Sequence, residues 1–561
     1  MLVNDFATRR LPEMTGSIGI VERMRWTSAL LASAMLTVVV AVALHYVGTA
    51  SPGSATGGGS TTTLDPRIAA LAARQPGHGV EAIVQFGAGV TQAQATADSA
   101  RVHARVVGRL HIINALALRL TAAQARTLAA DPGVHAVSLN TAITPEGGPI
   151  ADAGALTGNL LSSSYDRTLG VTPLWRFGLT GSGVGVAVVD TGVDGALPDF
   201  RSADDGHSRV VETAVTNQGA TTVQDTYGHG TDVAGIIAGD GANRDPSDPL
   251  RGQYVGVAPD ANLISVKVAD DSGRATVLDV IYGLQFVVDH QRDYNIRVVN
   301  LSLDSTTPQS YKTDPLDAAA ESAWMHGIVV VASAGNRGTA ADAVQFAPAN
   351  DPYVITVGAV DDRGTPRTGD DTVASFSSRG LTQDGFAKPD IYAPGTHILS
   401  VLAPNSTFST MCPACVVGGE YIRTSGTSMA APMISGLVAD LLQEHPSWTP
   451  DQVKGALTSR FAKARASVPE VNGVRLALIP EPPVANRGLQ PNALIADASG
   501  NINYNLSSWS LSSWSVAKGS LSAGFALSSW SCASCGGGDN GGVDPTMSSW
   551  SMSSWSTYLD Q

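Results

Sequence analysis

Five short runs rich in valine and isoleucine mark the middle of the chain: VGVAVVD at 184–190, ANLISVKVAD at 261–270, IRVVNLSL at 296–303, GIVVVASAGN at 327–336 and YVITVGAV at 353–360. They are nearly continuous in apolar residues, so each is a strand buried on both faces rather than on one. Helical stretches stand between them. Strands of this kind alternating with helices predict an α/β domain over 165–480, a parallel sheet covered by helices on both sides. Ligands of such sheets bind beyond the carboxyl ends of the strands. That directs attention to the residues closing these runs, Asp190, Asn300 and Asn336.

A different rhythm precedes this domain. VEAIVQF reads as a strand, TQAQATADSARVHARVV as a helix, and LHIINALALRLT as a hairpin or two strands. TAAQARTLAADPG is a second helix and VHAVSLN a last strand. The order is the β-α-β-β-α-β of a small ferredoxin-like α+β unit over 64–145, a fold that alone says little about function. A polar, Gly-rich passage, TPEGGPIADAGALTG, separates the two.

Both ends are unlike the middle. TSALLASAMLTVVVAVAL at 27–44 is uncharged, follows Arg23 and Arg25, and leads through small residues into the linker TGGGSTTT. This predicts a secretory signal within 1–50, cut after Ala50, or an uncleaved membrane anchor, with 51–63 as linker. Met24 is a more conventional start than Met1 for such a segment. From 481 to 561 the chain is a low-complexity tail that repeats SSWS from Ser507, Ser512, Ser528, Ser548 and Ser553. Its spacing is too irregular for a solenoid. It reads as a disordered or removed segment, an adhesive surface, or a piece that docks on the domain before it.

A net charge of −14 with no basic patch excludes nucleic acid as a partner. The cysteines form two CxxC pairs, Cys412 with Cys415 and Cys532 with Cys535. In an exported protein these predict short disulfides; a zinc site would need the two pairs to meet across more than a hundred residues.

Three residues hold candidate chemistry. Asp190 ends a strand before a Gly turn, His229 opens an apolar helix in YGHGTDVAG, and Ser428 opens another in TSGTSMAAPMISGLVADLL. Singly, each is an ordinary turn, helix start or N-cap. Together, with VVDTGVD, GHGTDVAG, VNLSL, ASAGN, FAPAN, VITVGAV, FSSRG, KPDIYAPG and GTSMAAP, the chain resembles the subtilisin-like serine peptidases, or subtilases, through most of 180–445.

The resemblance implies an exported serine endopeptidase acting on proteins or peptides. Ser428 would be the nucleophile, His229 the base and Asp190 the group that orients it. Asn336 would contribute to the oxyanion hole, and Ser302 with Asp304 would line the substrate cleft. It implies no cofactor for catalysis; structural calcium is frequent in the family, but no EF-hand loop is present and no ligands are assigned. Residues 64–145 would be a propeptide, an intramolecular inhibitor removed by self-processing between about 140 and 155. A contrasting reading is a weakly active or inactive subtilase fold that binds surfaces through its SSWS tail. Membrane association follows only if the first segment stays uncut. Two residues depart from the family pattern. Asp232 stands where a second histidine is usual, and Asp304 where a glycine is usual. Asp304 either favours basic side chains before the cut bond or points to solvent.

Overall fold

A computed structural model describes residues 63–493 apart from 88, 150–162, 203–204, 250, 461 and 463–467, together with 495, 530–532 and 555–556. The apolar segment 27–44, the linker up to residue 62, Cys535 and most of the SSWS tail lie outside the described residues.

The first described elements form a small α+β domain. Strands β1 (Thr63–Leu64), β2 (Gly79–Phe86), β3 (Arg105–Leu110), β4 (Ala115–Thr121) and β5 (Val134–Leu139) make one sheet in the order β1-β5-β2-β4-β3. Without the short β1 this is the order of a split β-α-β-β-α-β motif. Helices run over Pro66–Arg74, Gln92–Arg101 and Ala122–Leu128, capped by Asp65, Thr91 and Thr121. Thr91 and Thr121 form capping boxes with Gln94 and Gln124, which satisfies helix donors that would otherwise be orphaned.

The two-residue period of the strands sorts their side chains between two cores. Ala82, Val84, Leu116 and Leu118 pack with the domain's own helices. Ile83, Ala115 and Ala117 face the other way and join the core of the large domain. At this contact the His111 N–H donates to Gln285 Oε1 at 2.8 Å, and His111 Nε2 lies 2.8 Å from Asp289 Oδ1. Gly108 is required by close approach, since a Cβ there would fall 1.3 Å from Tyr282 Oη.

One boundary differs from the sequence reading. The helix stops at Arg101, His103 takes a positive φ of 58°, and the valines of RVV become β3 rather than a last helical turn. The β3–β4 hairpin therefore turns through His111–Ile113 and Asn114, earlier than LHIINALALRLT suggests. β1 and the helix Pro66–Arg74 were not anticipated.

The linking passage contributes β6 (Ala142–Pro145) and β7 (Gly148–Pro149). Beyond it, β8 (Gly185–Asp190), β9 (Val210–Val215), β10 (Asn262–Lys267), β12 (Ile296–Leu301), β14 (Val329–Ser333) and β15 (Ile355–Asp361) form the central sheet. Their order is β15-β14-β12-β8-β10-β9 and every pair is parallel. Ile391–Pro394 adds a parallel strand beyond β15. The valines of β8, β12 and β14 are fully buried, as near-continuous apolar runs require. Helices His229–Ala238 and Thr427–Glu444 pack on each other, as do Val277–Asp289 and Pro315–Met325. This is the α/β architecture that the resemblance implies.

Strand order reverses at β8, whose neighbours are β10 and β12. Such a switch point opens a crevice at the carboxyl ends of the strands. Two short strands border it, β11 (Ala275–Thr276) and β13 (Leu303–Ser305). At the far sheet edge, the backbone of Trp530–Cys532 pairs antiparallel with β9, and Trp555–Ser556 pairs with Trp530–Cys532. Two of the SSWS repeats thus supply backbone to the sheet.

Candidate active site

Asp190 is the last residue of β8 and is buried. Its Oδ1 accepts from the Thr191 N–H and lies 2.7 Å from His229 Nδ1. His229 is the first residue of its helix and follows Gly228, whose φ of 107° suits glycine. A Cβ at Gly228 would also fall 2.7 Å from Ser406 Oγ. The turn is held by buried Asp225, which accepts from the Gly228 N–H, the Thr231 N–H and the Thr191 hydroxyl. Burial alone would lower the imidazole pKa, but the carboxylates of Asp190, then Asp232 and Asp225, raise it above its ordinary value. His229 Nε2 is buried and has no hydrogen-bond partner among the described residues. The Phe408 ring meets the imidazole edge-on, 5.9 Å between centroids. Phe408 packs with Cys412 and Cys415, which are disulfide-bonded, so this CxxC pair staples the loop beside His229.

Asp232 sits in the same helix, fully buried, and accepts from the Thr424 hydroxyl at 3.0 Å. Burial pushes its carboxyl up to about 8, against the influence of His229 and Thr424. It does not hydrogen-bond the imidazole; it ties the helix to the strand Tyr421–Ser425.

Ser428 is the second residue of the helix Thr427–Glu444. Its hydroxyl donates to the Ser302 carbonyl at 3.1 Å, and its N–H donates to the Glu146 carbonyl at 3.0 Å. Asn336 Oδ1 accepts from the Thr427 N–H and hydroxyl, which leaves the Nδ2 donors on the side toward Gly426. Gly426 has to be small here, because a Cβ would fall 2.7 Å from Gly147 Cα and 2.9 Å from the Glu146 oxygen.

The crevice is occupied by the chain's own linking passage. β6 lies between β11 and β13, antiparallel to both. β7 pairs antiparallel with Tyr421–Ser425. Between them, the Glu146 N–H donates to the Ser302 carbonyl at 3.1 Å. A Cβ on Gly147 would touch Ser428 Cβ at 3.3 Å, so the Glu146–Gly147 peptide adjoins the serine side chain. Ser302 meets both partners, since its own hydroxyl donates to the Ser428 carbonyl at 3.0 Å and accepts from Asn300 Nδ2 at 2.9 Å.

The Glu146 side chain enters a pocket. Its Oε2 accepts from the Asn336 N–H at 2.9 Å and its Oε1 lies 3.7 Å from Arg337 Nη1. Arg337 stacks on Phe346 at 3.8 Å and pairs through both Nη atoms with Asp304. Burial, then the Asp304 carboxylate, push the Glu146 carboxyl up to about 9 despite Arg337. One expectation for Asp304 fails here. Its side chain is only 1% exposed, so it does not point to solvent; both of its oxygens pair with Arg337. Sequence reasoning passed over Arg337, although it follows Asn336 directly, and over Asp225 and Glu146.

Among the described residues no group of three or more His, Cys, Asp or Glu side chains has the arrangement of a metal site. No calcium ligands are assigned.

A parallel α/β sheet with a carboxylate–imidazole pair at its switch point and a serine at the start of the helix packed on that of His229 defines a class, the subtilisin-like fold. The comparisons agree. The chain belongs to the subtilase family, whose model, described as "Subtilase family", matches residues 181–474. It is 42% identical over 300 residues to serine protease AprX of Bacillus subtilis (strain 168), covering 53% of this chain and 65% of that protein. It is 35% identical over 283 residues to Subtilisin E of the same strain, covering 50% and 61%. Among solved structures it resembles fervidolysin from Fervidobacterium pennivorans, a keratinolytic enzyme related to subtilisin, with a TM-score of 0.55 and 25% identity over 76% of this chain and 64% of that one. Each match spans less than two thirds of the other protein's length.

Proposed function

We propose that the chain is an exported serine endopeptidase, made as a zymogen that cuts itself between Glu146 and Gly147. The observation that carries this reading is the Glu146 carbonyl on the Ser428 N–H, with its strand paired on both sides of the crevice. A substrate main chain added as a strand is a known mode of peptide recognition.

In this reading the Ser428 hydroxyl leaves the Ser302 carbonyl and turns to His229 Nε2. The imidazole takes its proton while Oγ bonds to the Glu146 carbonyl carbon. Asp190 holds the Nδ1 proton and stabilises the imidazolium. Charge on the Glu146 oxygen is met by the Ser428 N–H and by Asn336 Nδ2. The Glu146–Gly147 C–N bond then breaks and the imidazolium protonates the Gly147 nitrogen. Water, deprotonated by His229, attacks the acyl-enzyme, which releases the Glu146 carboxylate and restores Ser428. The domain ahead of the cut stays docked as an inhibitor. Asp232 and Asp225 position the helix of His229. Residues 1–50 would direct export, and the tail from 481 would follow the peptidase domain.

The test is expression of the full chain and of Ser428→Ala in a protease-deficient host, with intact mass and N-terminal sequencing. The unaltered chain should yield a fragment beginning at Gly147, and the variant should keep residue 146 joined to 147. A Ser428→Ala chain cut at the same bond would refute self-processing.

A further inference from the structure

Glu146 shows how the crevice reads a side chain, not only a backbone. Its carboxyl touches one fixed donor, the Asn336 N–H, and shares one cation, Arg337, with a second carboxylate. That guanidinium cannot swing to serve Glu146 alone. It stacks on Phe346 and is held by both oxygens of Asp304. The pocket without Glu146 therefore carries one positive and one negative charge, and it is neutral. These are the charged groups facing the Glu146 carboxyl from β13 and from the turn after β14; Asp342 acts on Arg337 from further out. A glutamate anion here would place two carboxylates on one arginine in a buried site, and like charges so close favour keeping a proton on one of them. An uncharged carboxyl can accept from the Asn336 N–H with one oxygen and donate toward Asp304 with the other. A carboxamide has the same shape and the same pattern of one acceptor and one donor.

We propose that this pocket, formed by the Asn336 N–H, Arg337 and Asp304, selects glutamine or uncharged glutamic acid at the residue whose carbonyl is attacked. Basic side chains meet Arg337, and apolar ones leave the ion pair without the polar partner it meets in Glu146. The selection rests on the serine-peptidase reading above and adds its substrate class. The direction of pH dependence follows. A free glutamate side chain titrates near about 4.3, and burial beside Asp304 raises it to about 9 in the pocket. Binding then takes up one proton. Preference for glutamate is full at acid pH and is lost as pH rises between those two values, by up to about tenfold per unit. Glutamine has no such proton to take up. Glu146 itself is tolerated because the tethered strand is delivered intramolecularly.

The test uses matured protein from the full chain, with active sites counted by a fluorophosphonate label. Peptides Ile-Thr-Pro-X-Gly-Gly, with X as Gln, Glu, Leu or Lys, are assayed for kcat/KM from pH 5 to 8. We expect Gln to exceed Leu and Lys at least tenfold at pH 7.5. The Glu/Gln ratio, from which the titration of His229 cancels, should fall by close to tenfold per unit. In Asp304→Asn, which leaves Arg337 unmatched, Glu should overtake Gln. Labelled enzyme that prefers Leu or Lys, or a Glu/Gln ratio that does not move with pH, would overturn the assignment. Absence of labelling would instead refute the serine-peptidase reading, and this one with it.

Discussion

Replacing Gly108 by alanine tests how the small domain holds the large one. The new Cβ would lie 1.3 Å from Tyr282 Oη and 2.7 Å from Cζ. Ordinary contact needs about 3.5 Å, so the strand or the ring must yield by roughly 2 Å. Tyr282 is buried in the middle of Val277–Asp289. Gly108 is not in the left-handed region, so the substitution acts through this overlap and not through backbone strain. Overpacking of this kind costs about 1–3 kcal/mol, which corresponds to about 5- to 150-fold weaker binding of the cut domain. The assay is dilution of the self-processed complex, with peptidase activity recorded against total concentration to give the dissociation constant. Tyr282→Phe in the same chain removes the nearer clash and should recover part of the loss, a coupling that a double-mutant cycle isolates. A Gly108→Ala dissociation constant within twofold of that of the unaltered protein would refute a docking contact made through Gly108 and Tyr282.

Two further outcomes follow from the site. In the proposed mechanism Asn336→Ala removes one donor to the developing oxyanion, and should lower kcat by on the order of 100- to 1000-fold with little change in KM; a loss under tenfold, measured with active sites counted, would exclude that role. The imidazole must be neutral to accept the serine proton, and against burial the carboxylates of Asp190, Asp232 and Asp225 raise its pKa above 6.5, so the acid limb of kcat/KM with a glutamine peptide should have its midpoint above that value; a midpoint at or below 6.5 would contradict the arrangement.

The sequence disclosed what was buried on two faces and what was locally patterned. β8, β10, β12, β14 and β15 were legible because each is a near-continuous apolar run. β9 escaped because Glu212 and Thr213 interrupt its apolar run, although both are buried, with the Glu212 carboxylate accepting from the Thr213 N–H and the Tyr294 hydroxyl. The helix ending at Arg101 was drawn too long because alanine and arginine favour a helix, while pairing of RVV with β4 overrides that weak preference. Asp190, His229 and Ser428 stood out because each closes or opens an element inside a short distinctive string, and Asn336 because it ends the run GIVVVASAGN just past β14. Arg337 and Glu146 did not, because their significance is a contact between residues far apart in the chain, the latter inside a passage that reads as a mere boundary. Asp304 was misjudged for the same reason, its partner lying 33 residues on.

The occupied crevice also bears on why a segment can be both substrate and lock. β6 is paired on both sides, and β7 is paired beyond the bond to be cut. Contacts that hold ground state and transition state equally tighten binding without speeding chemistry. The Ser428 hydroxyl rests on the Ser302 carbonyl and not on the imidazole, so attack requires a rotation that this bond opposes. After the cut, the acyl side remains held by β11, β13 and the docked domain, and only the side beginning at Gly147 depends on β7 alone. In the proposed self-processing, departure of Gly147 from the strand Tyr421–Ser425 would then be the step that commits the molecule. After the proposed cut the small domain would keep its place by the contacts around Gly108 and His111 and by the pairing of β6 with β11 and β13, rather than by any covalent tie.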